Sequence, residues 1–319
     1  MDRPRRAHGR GLNEPVDLAH PLVGELLART SFPAAGTEVV CAVSGGADSL
    51  ALLSLAAAAG CRVTAVHVDH GLRLGSGAEG DVVEAAAARA GAGFRRERVE
   101  VGDGPNLEAR ARAARYAVLP DGVLTGHTAD DRAETVLLHL LRGAGPTGAV
   151  GIGRSPQRPL LDLRRADTEA LCVALGFDPV HDPSNDDPRF RRNRIRHELL
   201  PLMASIGERD PVPVLVRQAD LFADVDAAIG RAAARLDTTV AADLAAAPAA
   251  VAGAAVRAWL VAAGVGDGYG IDGASVARVL AVARGERVAT EVAGGWRIAR
   301  SRGRLSVTAP GSWQDAAHD

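Results

Sequence analysis

Lysine is absent from this chain of 319 residues, so all 37 of its strongly basic side chains are arginine. A Walker-type phosphate lysine is thereby excluded. Cysteine is scarce: Cys41, Cys61 and Cys172 are widely spaced in apolar contexts and make no Cys-x-x-Cys pair. A disulfide framework and a paired-thiolate metal site are therefore not expected, and the pattern reads as a reduced, cytoplasmic protein. Residues 1–15 are arginine-rich and lack the apolar stretch of a signal peptide, so they read as a loose tail. No membrane span is expected either, because the apolar run over 240–263 is broken by Asp243, Pro248 and Arg257. The net charge of -2 is nearly neutral, yet the arginine is uneven: Arg189, Arg191, Arg192, Arg194 and Arg196 crowd into one short stretch. The length suffices for two domains with a substantial core.

What is present begins with an apolar strand over 39–43 that feeds Ser44-Gly45-Gly46-Ala47-Asp48-Ser49 and opens directly into an apolar helix. Gly45 and Gly46 permit backbone conformations closed to other residues and leave no Cβ in the way, so successive N–H groups can converge on a phosphate at the helix N-terminus. A nucleotide is the expected ligand. The pattern resembles the pyrophosphate loop of the N-type ATP pyrophosphatases, which cleave ATP between its α and β phosphates.

Strands and helices alternate through the first half. The helix from 48 ends before Gly60; a buried strand follows over 62–68, a helix from a Ser76/Glu79 capping box to 90, a strand over 94–99, a helix over 106–119 and a strand over 123–125. This order predicts an α/β fold with a doubly wound parallel sheet, whose ligands bind beyond the carboxyl ends of the strands. Residues 44–49, 67–73 and 126–131 each follow a strand and are expected to meet in one crevice.

Thr128 can cap the next helix, and Asp130 and Asp131 suit its first turn by the dipole alone. Capping leaves His127 unexplained. A carboxylate beside a phosphate loop can hold magnesium on ATP or steer an amine, and His127 can stabilise charge on the transferring phosphoryl group. His139 lies inside the helix and is read as packed or solvent-facing.

Five stretches in order, covering most of residues 38–203, resemble the tRNA(Ile)-lysidine synthetase family: 44–49, 67–73, 106–116, 126–145, and 182–185 with 192–196. Two departures are Thr128, where a second histidine is common, and Arg132, where glutamine is common; the chain also stops short of members with a further C-terminal domain. The resemblance implies adenylation of the C2 oxygen of the wobble cytidine in an isoleucine tRNA with a CAU anticodon. Free L-lysine then displaces AMP through its ε-amine. Carried over by motif, Ser44, Gly45, Gly46, Ala47, Asp48 and Ser49 would hold ATP with its Mg2+, the latter on Asp48, and the backbone around His67, Val68 and Asp69 would meet adenine. Asp48, His127, Asp131 and Arg115 would serve the chemistry; Arg112, one turn before Arg115, is the alternative arginine, and either could instead belong to a solvated helix face. Asp130, Glu134, Arg142, Arg192, Asn193, Arg194 and Arg196 would bind tRNA or lysine along with Arg112.

The density of arginine over 189–196 suits phosphate contact, which the resemblance makes contact with an anticodon loop and which positions RNA without reading sequence; a solvated helix start is the plainer reading. The expected organisation is a disordered basic tail over 1–20, a catalytic domain over 21–208, a mainly helical tRNA-binding domain over 209–308 ending in a β-hairpin, and a tail over 309–319. No protein partner is implied. Two rival readings are a tRNA thiolase of the same superfamily, disfavoured because no paired cysteines exist to carry sulfur, and a module that binds nucleotide or RNA without turnover.

Overall fold

A computed structural model describes residues 14–69, 71, 76–100, 102, 107–266 and 271–312. After α1 (Pro21–Leu27) come β1 (Glu38–Ala42), α2 (Ala47–Ala58), β2 (Arg62–Asp69), α3 (Ser76–Arg89), β3 (Gly93–Arg98) and α4 (Leu107–Val118). The three strands form a parallel sheet in the order β1-β2-β3. Successive side chains of a strand point to opposite faces, and β1 and β2 carry apolar packing on both, whereas β3 has no buried residue. Val39, Cys41, Val63 and Ala65 join the core formed with α1, α2 and α3, while Val40, Ala42, Val66 and Val68 pack with Leu119 and Val123 on the other side. Leu50, Leu52, Leu53 and Leu55 of α2 are all shielded from solvent, which explains why that helix is apolar on every side. Its surroundings include Leu171, Cys172 and Leu175 from the region of α7 (Arg165–Ala174), which follows α5 (Ala129–Leu140) and the short α6 (Pro146–Ala149).

The strand expected at 123–125 is a single parallel bridge between Cys41 and Leu124. Ala42 N–H donates to Leu124 O (2.9 Å) and Leu124 N–H to Val40 O (2.8 Å), but Thr125 N–H already turns away to Gln157 O (2.8 Å). Leu124 lies on the side of β1 opposite β2. The chain thus winds outward from β1 to β3 and then returns to the other side of β1, placing a topological switch point at the end of β1, where such folds bind ligands.

The disordered tail expected to residue 20 falls outside the described residues as far as 13. Residues 14–20 depart from that expectation: Val16 is buried and its N–H donates to Arg89 O (2.9 Å), while Arg89 Nε donates to Glu14 O (3.0 Å). The Arg89 guanidinium also lies 4.6 Å from the centre of the Phe177 ring. The Ser76 side chain of the expected capping box, Asn106 and the tail beyond 312 lie outside the described residues.

A helix begins with α8 (Arg191–Arg194), continues through one π turn over Ile195–Leu199 and into α9 (Leu200–Gly207). Ile195 and Leu200 pack with Ala133, Val136 and Leu137 of α5 and with Val212 and Leu215 of α10 (Pro211–Ala233). The chain divides into two compact units, 1–220 and 221–319, where composition suggests a change at 209. The second unit contains α11 (Ala241–Ala246), α12 (Ala249–Ala262) and α13 (Gly273–Arg284), whose Leu244, Val256, Leu260 and Val279 form a core with Ile298 and Leu305. Instead of a hairpin it ends in a three-stranded antiparallel sheet, β4 (Ala289–Val292), β5 (Trp296–Ser301) and β6 (Arg304–Thr308). Between β5 and β6 the chain folds back because Arg302 and Gly303 both have positive φ (47° and 78°), the geometry of a two-residue hairpin turn.

Candidate active site

The loop after β1 is closed by Ser49. Its hydroxyl donates to Gly46 O (2.9 Å) and accepts from Ser44 N–H (3.2 Å), tying the two ends of the glycine turn together. Gly45 has φ +90°, and a Cβ there would sit 3.0 Å from Val180 Cγ2; Val180 N–H donates to Gly45 O (3.0 Å). Gly126 is required for a different reason: a Cβ would lie 2.7 Å from Asp48 O, so only glycine lets the 126–128 turn pass against the phosphate loop. The N-terminus of α2 opens into a cleft of about 570 Å³, within the usual range of small-ligand pockets.

Asp48 lines that cleft. Thr168 Oγ1 donates to its Oδ1 (2.5 Å), and Arg165 Nε lies 3.8 Å from Oδ2. Burial and the neighbouring charge of Asp131 outweigh these contacts and push the Asp48 carboxyl up to about 6. Asp131 behaves oppositely. Burial raises it, but Arg192, Arg165, the Thr128 N–H and His127 together hold it below the usual carboxylate range. Its Oδ2 accepts from Thr128 N–H (2.9 Å) and Oγ1 (3.1 Å), completing a capping box, and Oδ1 meets Arg192 Nη2 (3.0 Å) and Arg165 Nη2 (3.2 Å). Thr128, one of the two departures from the family pattern, thus caps α5 from a buried position.

Beneath Asp131 lies Glu134, which is 0% exposed. Its carboxylate accepts from Arg165 Nη1 (3.1 Å), Arg192 Nε (2.7 Å), and Arg196 Nε (2.7 Å) and Nη2 (3.1 Å). Three guanidiniums therefore converge on two carboxylates, Asp131 and Glu134. Arg165 and Arg196 line the cleft, so the surplus charge faces the space beside the phosphate loop. Arg132, the other departure, is buried and pairs with Asp220 (2.8 Å).

Ser44, Gly46, Ala47, Ser49, Val68, Arg115, His127 and Arg196 line the cleft along with Asp48 and Asp131. The remaining candidates sit elsewhere. His67 is buried and donates from Nδ1 to Val43 O (3.0 Å), because position 67 falls on the core face of β2. Asp69 accepts from Gly71 N–H (2.9 Å) at the strand's end. Asp130 is held by Arg164 Nε (2.9 Å) and Arg165 N–H (2.8 Å), and neither it nor the buried Glu134 lines the cleft. Arg142 is exposed beyond the end of α5. The side chain of Arg112 lies outside the described residues.

The arginines of 189–196 do not form a single outer surface. Arg192 and Arg196 turn inward to Glu134, Arg189 pairs with Asp187 (2.6 Å), and Arg194 pairs with Glu198 one turn on (2.8 Å). Asn193 is buried, donating to Ser184 O (2.7 Å) and Asp187 O (2.9 Å), and so holds the 184–187 turn against α8.

Sequence reading misses Arg165, Thr168 and Glu169 of α7, and Tyr116 of α4. A signal for the first exists: Arg164-Arg165 opens a helix, where positive charge opposes the dipole unless acids compensate it. Among the described residues no group of three or more His, Cys, Asp or Glu side chains is arranged to hold a metal by itself. No helix among them is long and apolar enough to cross a membrane.

A parallel sheet with a glycine loop and cleft at its switch point defines the class of PP-loop proteins, and a PP-loop domain model matches residues 23–203. The chain is 43% identical over 250 residues to the tRNA(Ile)-lysidine synthase of Nocardia farcinica, covering 73% of this chain and 78% of that one. It is 38% identical over 314 residues to the same enzyme of Salinispora arenicola, covering 89% and 94%. The chain belongs to the tRNA(Ile)-lysidine synthase family. Among solved structures, a U34-tRNA thiolase from Methanococcus maripaludis superposes with TM-score 0.50 at 14% identity, covering 64% of this chain and 80% of that one; this likeness is one of fold.

Proposed function

We propose that this chain is an ATP-dependent ligase that joins free L-lysine to C2 of the wobble cytidine of an isoleucine tRNA with a CAU anticodon. The observation that carries the reading is the convergence, in a chain of this family, of the phosphate loop with Asp48, His127, Asp131 and the Arg165–Arg196 cluster on one cleft. Adenylation forms a bond between the cytidine O2 and the α-phosphorus of ATP and releases pyrophosphate. The lysine ε-amine, having lost its ammonium proton, then bonds to C2 and AMP departs with O2.

The N–H groups at the start of α2 suit the anionic phosphates, and Arg165 and Arg196 balance charge that builds on leaving pyrophosphate and AMP. Thr125 Oγ1, 2.8 Å from His127 Nδ1, fixes the imidazole's orientation at the cleft. Asp48 fits a cation: a buried carboxyl raised by a like-charged neighbour is stabilised as an anion when a positive ion arrives. Mg2+ needs only one or two carboxylates when phosphate oxygens complete its shell. It would supply charge neutralisation on the phosphates, with Asp48 as its protein ligand. The second unit is proposed to bind tRNA, and the cytoplasm is the proposed location.

Cys41 and Cys172, pushed up to about 12 by burial, are poorly suited to carry sulfur, which speaks against the thiolase reading. The test is pyrophosphate release from ATP with transcribed tRNA, followed by mass spectrometry of the digested RNA. Expected is a cytidine heavier by one lysine less water, formed only with free lysine. A thiolated base, or ATP binding without pyrophosphate release, would overturn the reading.

A further inference from the structure

One large side chain in the cleft takes no part in the phosphate or amine chemistry. Tyr116 stands near the end of α4, beside Arg115, and 39% of it is exposed. Aromatic residues make up only 3% of the chain, and among the described residues Tyr116 is the one phenyl-type ring that lines the cleft. One α-helical turn further, Leu119 closes the inner wall with Val66 and Val68; Val66 and Leu119 are buried where Tyr116 is not. The wall is thus graded, from apolar and solvent-shielded at Val66, beside the end of β1, and Leu119 to an exposed ring at Tyr116.

The reaction brings two bases into this cleft, the adenine of ATP and the target cytosine. A freely diffusing nucleotide can occupy the shielded portion beside the loop that holds its phosphates. A base carried on a folded RNA enters from solvent and must leave its own stack, and it reaches the exposed ring first. Unstacked bases in RNA recognition are received on aromatic faces, commonly with an arginine alongside.

We infer that Tyr116 is the stacking platform for the target cytosine, with Arg115 beside it, and is therefore a specificity-determining residue for the RNA substrate and not for ATP. This rests on the ligase reading above.

The test compares wild type with Tyr116→Phe and Tyr116→Leu, two variants of similar bulk at an exposed position; thermal melts establish that each is folded. The probes are an anticodon stem-loop RNA with cytidine at the wobble position, the same RNA with an abasic wobble site, and a non-hydrolysable ATP analogue without RNA. Stacking of a base on an aromatic ring implies that wild type loses about ten- to a hundredfold in affinity for the abasic RNA. Tyr116→Phe should keep that difference, whereas Tyr116→Leu should bind both RNAs equally and raise KM for tRNA with little change in ATP-analogue affinity. Weakened analogue binding by Tyr116→Leu, with the cytidine/abasic difference intact, assigns the ring to adenine and overturns the inference. So does a Leu variant that matches wild type throughout. Lysidine formation by wild type is measured alongside, and its absence would sink the ligase reading itself, separately from either result.

Discussion

Asp48 carries a conflict that a neutral isostere removes. Its folded pKa of about 6 lies above the ordinary value of 3.8, so the folded state binds its proton more tightly than the unfolded state. Stability then declines as pH rises from about 4 to 6, and above 6 the full cost remains, on the order of 3 kcal/mol. Asp48→Asn keeps an acceptor for Thr168 and removes the charge. We expect it to melt higher than wild type at pH 8, with no advantage at pH 4, while adenylate formation falls by orders of magnitude. Differential scanning fluorimetry at both pH values checks the first half and a pyrophosphate-release assay the second. A variant with normal adenylation would remove Asp48 from the chemistry; one melting lower at pH 8 would contradict its raised pKa.

The strand-loop-helix from 38 to 58 was legible because each local rule agrees there: a short apolar run for the strand, glycines at the turn, and leucines all round a helix that is covered on every side. The 126–128 turn was legible as polar residues after a strand, but the need for Gly126 was not, since it arises from the backbone of Asp48, 78 positions earlier. Gly126→Ala places a methyl group 2.7 Å from a carbonyl oxygen and forces either this turn or the phosphate loop to move. ATP-analogue affinity should fall at least tenfold, read by calorimetry, with the far-ultraviolet circular dichroism unchanged; unaltered affinity would show that the turn has room. The arginines were legible as a cluster but not by partner. Spacing by four puts Arg192 and Arg196 on one face of a helix, yet whether that face meets RNA or a buried acid depends on α5 lying against it. Glu134→Gln should destabilise the protein by about 3 to 5 kcal/mol, because it strips charge from a buried carboxylate that three guanidiniums require. Urea melts measure this, and a loss under about 1 kcal/mol would show that water or rotamer changes compensate.

For the whole molecule, a net charge of -2 conceals the distribution that RNA would encounter, and the ion pairs sort the arginines by exposure. Arg194 is on the surface with Glu198, whereas Arg192 is turned toward Asp131 and Glu134. Arg194→Gln should weaken binding of cognate and non-cognate tRNA alike and flatten the dependence of affinity on salt. Arg192→Gln should leave the salt slope in place and lower product formation at saturating tRNA. Filter binding across a salt series distinguishes the two, and a flattened slope for Arg192→Gln would return it to the RNA surface.

The Glu134 cluster also imposes an order in time. Its arginines stand 31, 58 and 62 residues downstream of the acid they surround. A chain emerging from the ribosome contains the residues of the first three strands long before Arg192 and Arg196 exist. Until they arrive, Glu134 has too few cationic partners to be buried, and α5 lacks the α8 and π-turn face that covers it. The phosphate loop shares this dependence, since Val180 N–H holds Gly45 O and Thr168 holds Asp48, so both sides of the cleft are completed only when residues 165–196 have been added.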